Sequence, residues 1–314
     1  MVRVEQRKVE AEGICSFELV ADDGKALPAF TAGAHIDVHV GPGLIRQYSL
    51  CNDPADTASY RIAVLREPAS RGGSSAMHAQ VKAGDRLTVS EPKNHFPLVP
   101  AAHSLLVAGG IGVTPIMAMA TTLHREGSAF ELHYCGRSAS RMAFVDELSK
   151  SPFADRVQVH TDDGAAEQLF DAKQLLTSAH EASHLYVCGP AGFMDHVLDT
   201  ARQLGWPEDR LHREYFAGTV TTTDSDAPFT VRIASTGLEL TVPADQRVID
   251  VLAANGVDVP VSCESGVCGT CLTRVLEGAP DHRDSYLTDD ERQANDQFTP
   301  CCSRACSPLL VLDL

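Results

Sequence analysis

The feature that most constrains this chain is a set of closely spaced cysteines toward its carboxyl end. Cys263, Cys268 and Cys271 follow the spacing C-x4-C-x2-C, and Cys301 and Cys302 come next, after 29 and 30 intervening residues. This is the spacing of a plant-type [2Fe–2S] cluster, whose irons are held by four thiolates. A zinc site usually takes two C-x2-C pairs, whereas this stretch has one such pair beside an x4 step. The spacing therefore favours an iron–sulfur cluster.

Residues around the cysteines fit the same prediction. Gly266 and Gly269 would let the backbone pass close to inorganic sulfur, where a Cβ would clash. Neighbouring residues on a strand face opposite sides, so only one of Cys301 and Cys302 would be a ligand. The plant-type spacing favours the first of the two. The predicted ligands are Cys263, Cys268, Cys271 and Cys301.

Composition narrows the class of protein. The 314 residues are 44% hydrophobic and 22% charged, which is ordinary for a soluble protein of two or three domains. No apolar run suits a membrane span and no secretory signal is present, so we expect a cytoplasmic protein without disulfides. A net charge of −16 argues against nucleic acid and anionic membranes. Residues 229–314 hold 13 acidic and 6 basic side chains, which suits docking to a basic protein or plain solubility.

Residues 1–101 are predicted to form a small antiparallel β-barrel, because short alternating segments are separated by turn signals. The predicted strands include His35–Val40, Tyr60–Leu65 and Arg86–Val89. If the segment around residue 48 is a strand, Arg46 and Tyr48 share one face and Ser49 takes the other. An arginine beside a phenol would suit a phosphate and an aromatic ring.

A second candidate anion site lies further along the barrel. Arg71 is followed by two glycines, including Gly73, and by two serines, including Ser74, just before a predicted helix. Such a segment makes an anion cradle at a helix start. The alternative is a surface arginine in a flexible loop.

Residues 102–217 show a different pattern, in which strands alternate with helices and predict a parallel sheet. The buried strand Ser104–Ala108 runs into a glycine turn, where Gly110, Gly112 and Thr114 precede a helix. A glycine turn at a helix start is a pyrophosphate site, although it lacks the strict G-x-G-x-x-G form. Thr114 is predicted to cap this helix. A second strand-turn-helix junction contains Cys188, Gly189 and Pro190.

The rest of the chain is predicted to hold a linker and a small domain. Residues 218–228 are polar and unpatterned, which indicates a linker. Residues 229–314 combine a hairpin, a helix, the cysteine loop and further strands, including Phe298–Ser303, into an α+β unit.

The three blocks together resemble the phthalate dioxygenase reductase family, the flavin and ferredoxin reductases of Rieske oxygenases, and vanillate demethylase reductases look equally close. The resemblance covers the whole chain. It implies a multidomain protein with an antiparallel β-barrel flavin domain, an α/β NAD domain of the ferredoxin reductase type and a β-grasp plant-type ferredoxin domain. The motifs that carry it are Arg46-x-Tyr48-Ser49, Arg71 to Ser74, Gly109 to Pro115, Cys188-Gly189-Pro190 and the cysteines.

The resemblance also implies a role for each matching residue. FMN is expected as the flavin, with FAD as the alternative, and NADH as the donor. Arg137 and Arg141 leave NADPH open, because they follow a strand end and suit a 2′-phosphate. The residues implied to bind FMN or NADH are Arg46, Tyr48, Ser49, Arg71, Gly73, Ser74, Gly110, Gly112, Thr114, Cys188, Gly189, Pro190, Glu214 and Phe216.

The implied enzyme is a monomeric NADH-dependent oxidoreductase without a catalytic acid or base of its own. FMN takes a hydride from NADH and passes single electrons through the [2Fe–2S] cluster to a Rieske oxygenase, a dioxygenase or demethylase of the phthalate or vanillate type. The alternatives are a reductase for another acceptor, such as a ferredoxin or quinone, and a redox sensor or scaffold without turnover. The strand-turn-helix junctions count against the sensor.

Overall fold

The computed structural model describes residues 1–41, 44–67, 72–216, 226–261 and 264–314. These residues fall into two compact units, Met1–Glu214 and Tyr215–Leu314. The part of the chain that is described contains no helix long and apolar enough to cross a membrane.

The first unit begins with an antiparallel barrel. Its strands run in the order β4-β3-β6-β1-β2-β5, and a bridge between Leu50 and Ile62 brings the two edges together. Alternation places Phe17, Leu19 and Ile36 in the barrel core. The elements are β1 (Val2–Ala11), β2 (Ile14–Ala21), β3 (His35–Gly41), β4 (Leu44–Ser49), β5 (Ser59–Leu65), α1 (Gly73–Gln80) and β6 (Arg86–Val89).

A parallel sheet follows in the same unit, in the order β11-β10-β7-β8-β9. Strand order therefore reverses between β7 and β10, and ligands bind open α/β sheets at such switch points. The elements are β7 (His103–Gly109), α2 (Val113–Arg125), β8 (Phe130–Gly136), α3 (Val145–Ser149), β9 (Val157–Thr161), α4 (Ala172–Ser178), β10 (Ser183–Cys188), α5 (Ala191–Gln203) and β11 (Leu211–Glu214).

The predicted cap of α2 was wrong. A 3-10 turn over Gly110–Gly112 runs directly into the helix, so α2 begins at Val113 with Gly112 before it. Thr114 instead lies in the first turn, where its hydroxyl donates to the carbonyl of Ile111 at 3.0 Å. The sequence had therefore placed the helix start two residues too late.

The barrel and the parallel sheet share an apolar core within the first unit. Ile14, Ala32 and Ala63 of the barrel belong to the same buried cluster as Ile116 and Met117 of α2. The predicted division between residues 101 and 102 follows the change of sheet and stays a prediction.

The second unit is a small α+β domain whose main sheet has the order β13-β12-β18-β14-β16. Val231, Leu252, Phe298 and Leu310 fill its core. The predicted strand Phe298–Ser303 was largely wrong, because a turn at the cysteine pair interrupts it. The elements are β12 (Phe229–Ile233), β13 (Glu239–Val242), α6 (Val248–Ala254), β14 (Thr273–Glu277), β15 (Pro280–Asp281), α7 (Asp289–Ala294), β16 (Gln297–Phe298), β17 (Arg304–Ala305) and β18 (Leu309–Leu312). Most of the predicted linker lies outside the described residues.

Candidate functional site

The β3–β4 ribbon of the barrel separates the predicted flavin residues onto two faces. Tyr48 is directly opposite Ile36, and Arg46 is opposite Val38, so this pair lies on the face that carries buried aliphatic side chains. Ser49 lies on the other face. The predicted division of the strand into two faces is therefore confirmed.

Arg46 lies against the start of α1. A Cβ at Gly73 would overlap the Arg46 side chain, so the helix approaches this closely only because the residue is glycine. Ser74 is held next to this turn, since its hydroxyl accepts a hydrogen bond from the Glu67 N–H at 3.1 Å. The structure thus brings Arg46, Gly73 and Ser74 into one region, while Arg71 lies outside the described residues.

The Tyr48 hydroxyl tests whether this region fits a flavin. It is buried and has no hydrogen-bond partner among the described residues. Burial raises the pKa of Tyr48, so the group stays a neutral phenol that needs a partner. A flavin bound against the barrel would supply polar atoms to this hydroxyl, and the residues present therefore fit the cofactor.

Two glycine turns meet at the switch point of the parallel sheet. A Cβ on Gly112 would collide with the Cys188 carbonyl, and one on Gly189 would lie 2.9 Å from the Gly109 backbone. The turns that follow β7 and β10 are therefore packed backbone against backbone, and the Pro190 and Phe193 side chains lie against Gly109. Gly110 adopts a φ of 55°, and Pro190 stands directly before α5. A Cβ on Gly110 would meet nothing within 4 Å, so this glycine-lined edge has room for a dinucleotide pyrophosphate.

Ser49 and Glu214 connect the barrel to this edge. The Ser49 hydroxyl donates to Glu214 Oε2 at 3.1 Å, although 165 residues separate the two. Glu214 ends β11 directly opposite Cys188 on β10. Burial raises the pKa of Glu214 to about 8, and burial with the nearby Glu214 raises the pKa of the Cys188 thiol. The carboxyl is therefore mostly protonated at neutral pH, and the thiol is not a thiolate nucleophile.

Sequence reasoning named Ser49, Cys188 and Glu214 through the family resemblance, and the structure brings them together. It missed His35, whose Nδ1 lies 4.0 Å from Glu214 Oε1. A histidine at the start of an alternating strand gave no signal of this contact. Phe216 is 41% exposed and belongs to the second unit, so its place beside the flavin stays a prediction.

The second unit contains the candidate cluster site. Cys268, Cys271, Cys301 and Cys302 are buried, and Cys271 belongs to the same buried cluster as the adjacent pair. Cys263 lies outside the described residues. Among the described residues, no three His, Cys, Asp or Glu side chains lie close enough together to hold a metal ion. None of the described cysteines forms a disulfide.

The glycines between the cysteines fit a cluster loop. Gly266 has a φ of 75° and Gly269 a φ of 67°, a backbone region that disfavours other residues. A Cβ on Gly266 would overlap the Cys302 sulfur, and one on Gly269 would overlap the Tyr286 ring. Buried thiols beside a loop this tightly packed are the donor set that a [2Fe–2S] cluster takes.

Cys302, the second of the two adjacent cysteines, lies beside two hydroxyl groups. Cys302 Sγ lies 3.2 Å from the Thr299 hydroxyl, which itself lies 3.0 Å from the Ser303 hydroxyl. Because both cysteines lie in a turn, the argument from strand alternation was wrong. Cys301 as the fourth ligand stays a prediction.

Comparison with known proteins agrees with both units. The family model described as 2Fe-2S iron-sulfur cluster binding domain matches residues 231–306. The model described as dimethylamine monooxygenase subunit DmmA-like, N-terminal domain, matches residues 95–211. A vanillate O-demethylase oxidoreductase from Pseudomonas sp. strain HR199 is 55% identical, over 100% of this chain and 99% of its own.

Two solved structures extend the comparison. Phthalate dioxygenase reductase, described as a modular structure for electron transfer from pyridine nucleotides to [2Fe–2S], is 41% identical with a TM-score of 0.77, over 100% of this chain and 97% of its own. The flavohem-like FAD/NAD binding domain of nitric oxide dioxygenase from Vibrio cholerae is 30% identical with a TM-score of 0.61, over 68% of this chain and 97% of its own.

The fold and the two sites define a flavin- and NADH-binding oxidoreductase with a [2Fe–2S] ferredoxin domain. Such a protein transfers electrons within a multicomponent oxygenase system. The chain belongs to the phthalate dioxygenase reductase family.

Proposed function

We propose that this chain is the NADH-dependent reductase of a Rieske-type aromatic oxygenase, and that vanillate demethylase is its partner. The observation that carries the proposal is the Ser49–Glu214 hydrogen bond, which joins the barrel to the switch point of the parallel sheet within one unit. The full-length similarity to a vanillate O-demethylase oxidoreductase supports the choice of partner. We expect the protein to work in the cytoplasm, where cysteines stay reduced and can bind a cluster. We expect the reductase to act as a monomer.

In this proposal the residues of the barrel hold FMN. Arg46 and Arg71 supply positive charge for its phosphate, and Gly73 and Ser74 place backbone and hydroxyl donors beside it. The buried Tyr48 hydroxyl gains a partner on the cofactor. FMN is proposed over FAD on the basis of the family resemblance.

The glycine turns of the parallel sheet hold NADH. Gly110, Gly112 and Thr114 approach the pyrophosphate, while Cys188, Gly189 and Pro190 line the nicotinamide end. Glu214 and Ser49 fix the edge where the two cofactors meet, with Phe216 as a further proposed neighbour. When bound, the flavin accepts a hydride from NADH and releases electrons singly toward the cluster. The chain's own residues orient the groups and exclude water.

Four cysteines of the second unit, Cys263, Cys268, Cys271 and Cys301, hold the cluster. The helix α7 presents Asp289, Asp290 and Glu291 in its first turn, on a unit with an acidic excess. Such a surface suits docking to a basic face of the oxygenase, and raising the salt concentration should slow that docking.

The test combines cofactor analysis with reconstitution. The purified protein should contain one FMN, two irons and two acid-labile sulfides per chain, as expected for one flavin and one [2Fe–2S] cluster. With NADH it should reduce cytochrome c, and with a vanillate oxygenase it should drive demethylation of vanillate. Activity with phthalate dioxygenase alone would reassign the partner. Activity only with a separate ferredoxin or a quinone would reassign the acceptor, and zinc in place of iron would refute the proposal.

A further inference from the structure

Polar side chains continue along one face of the β3–β4 ribbon, from the Glu214 carboxyl toward the surface. His35 is directly opposite Ser49, and Asp37 is opposite Gln47, so these four side chains share a face. Ser49 donates to one carboxyl oxygen of Glu214, and His35 Nδ1 lies 4.0 Å from the other oxygen. Each oxygen of the buried carboxyl therefore faces one member of a cross-strand pair.

The charge on Asp37 determines how Gln47 is oriented. Lys93 Nζ lies 2.8 Å from Asp37 Oδ2, and this ion pair keeps the carboxyl ionised, so it only accepts hydrogen bonds. The atom of Gln47 that lies 3.0 Å from Asp37 Oδ1 is therefore its amide nitrogen. The orientation of an amide is usually inferred from such partners, and here a carboxylate decides it.

The orientation of Gln47 in turn determines the tautomer of His35. The same amide nitrogen lies 3.1 Å from His35 Nε2. Because this nitrogen can only donate, Nε2 must accept and carries no proton. The proton of the neutral ring is then on Nδ1, the nitrogen that faces Glu214.

The surroundings of His35 hold the ring in place. The residue is 4% exposed, and its backbone exchanges two hydrogen bonds of 2.9 Å with Lys93. The His95 ring packs beside it, with centroids 5.4 Å apart. Burial and the nearby Lys93 lower the pKa of His95, which keeps that neighbour neutral. Lys93 and Asp37 form an ion pair, so the charges closest to His35 offset each other.

We propose that Gln47 selects the His35 tautomer, and that His35 is thereby a positioning residue for the Glu214 carboxyl during hydride transfer. The inference rests on the proposed function, because it requires Glu214 to stand beside the bound flavin. His35 offers its Nδ1–H to Oε1, the carbonyl oxygen of the neutral carboxyl, while Ser49 holds Oε2, the oxygen that carries the proton. Contacts of this kind are often long without substrate and shorten when it binds. With both oxygens held, the carboxyl keeps one orientation at the edge where nicotinamide and flavin meet.

The test observes the tautomer directly, in full-length holoprotein labelled with 15N-histidine. The 15N shifts of His35 should show the proton on Nδ1. Replacing Gln47 with leucine (Q47L) removes the donor to Nε2, and the proton should move to Nε2. With NADH and ferricyanide, kcat should fall roughly tenfold, as for other supporting residues, with KM for NADH unchanged because Gln47 does not touch it. Q6L, at an exposed glutamine of β1, is the matched control and should change neither the tautomer of His35 nor kcat.

A double-mutant cycle separates positioning from a general effect on the barrel. Asparagine at position 35 (H35N) keeps an amide donor near the Nδ1 position but has no tautomer to select. Q47L should therefore cost roughly tenfold in the wild-type background and nothing in the H35N background. An equal cost in both backgrounds would overturn the proposal. A wild-type proton on Nε2 would overturn it without any variant. If wild-type protein does not oxidise NADH, the proposed function fails, and the NMR result still decides the tautomer.

Discussion

Substitution of Glu214 with glutamine (E214Q) should remove a large pH dependence of stability from the first unit. Burial raises the pKa of this carboxyl from 4.5 to about 8. Between those values the folded protein keeps a proton that the unfolded chain has released, so the free energy of unfolding falls as pH rises and levels off above pH 8. At about 1.4 kcal/mol for each pKa unit, the whole effect is about 5 kcal/mol.

About 2 kcal/mol of this effect lies between pH 6 and pH 8, where the protein is convenient to study. Glutamine has nearly the same shape and still accepts the hydrogen bond from Ser49, but it cannot ionise. From pH 6 to pH 8 the free energy of unfolding of E214Q should therefore rise by about 2 kcal/mol relative to that of the wild type.

The assay is urea unfolding at pH 6, 7 and 8, followed by the fluorescence of released flavin, with the slope on urea checked for constancy. E5Q, which changes an exposed carboxyl of β1, serves as the control, and its free energy of unfolding should depend on pH as that of the wild type does. If the free energy of unfolding of E214Q also depends on pH as that of the wild type does, the Glu214 carboxyl is not buried in its neutral form. The account of the switch-point edge would then be refuted.

Three further outcomes are expected. C301S should lose its iron and sulfide while C302S keeps them, with flavin retained in both; the reverse result by metal analysis would move the ligand to Cys302. G112A should lower kcat/KM for NADH by about tenfold or more, because the new Cβ would meet the Cys188 carbonyl. G192A is the control and should have no effect, because the space around Gly192 is open. NADH should have a higher kcat/KM than NADPH, and a preference for NADPH would contradict the assignment of the donor.

Much of the fold was predictable, because local alternation marks strands that are buried on one side. Arg86–Val89 and the two faces of the β3–β4 ribbon came directly from that pattern. The turn at the cysteine pair did not, although Pro300 directly before it argues against a continuous strand. The start of α2 was misplaced because a 3-10 turn of glycines leaves no propensity signal.

The candidate site was less predictable than the fold. The motifs identified the cofactor-binding residues singly, but the Ser49–Glu214 bond joins residues 165 apart and follows from how the barrel packs on the parallel sheet. His35 and Gln47 looked like ordinary members of alternating strands. Their roles depend on an amide orientation that the Asp37–Lys93 ion pair sets, which only three-dimensional placement reveals.

The central claim is that electrons pass from NADH through a flavin to the [2Fe–2S] cluster of the same chain. The most direct measurement is anaerobic addition of NADH to full-length protein, with the flavin followed by absorbance and the cluster by electron paramagnetic resonance of frozen samples. The account predicts that the flavin bleaches and that the paramagnetic signal of a reduced [2Fe–2S] cluster then appears, and disappears when the oxygenase is added. Bleaching of the flavin while the cluster stays oxidised would contradict it.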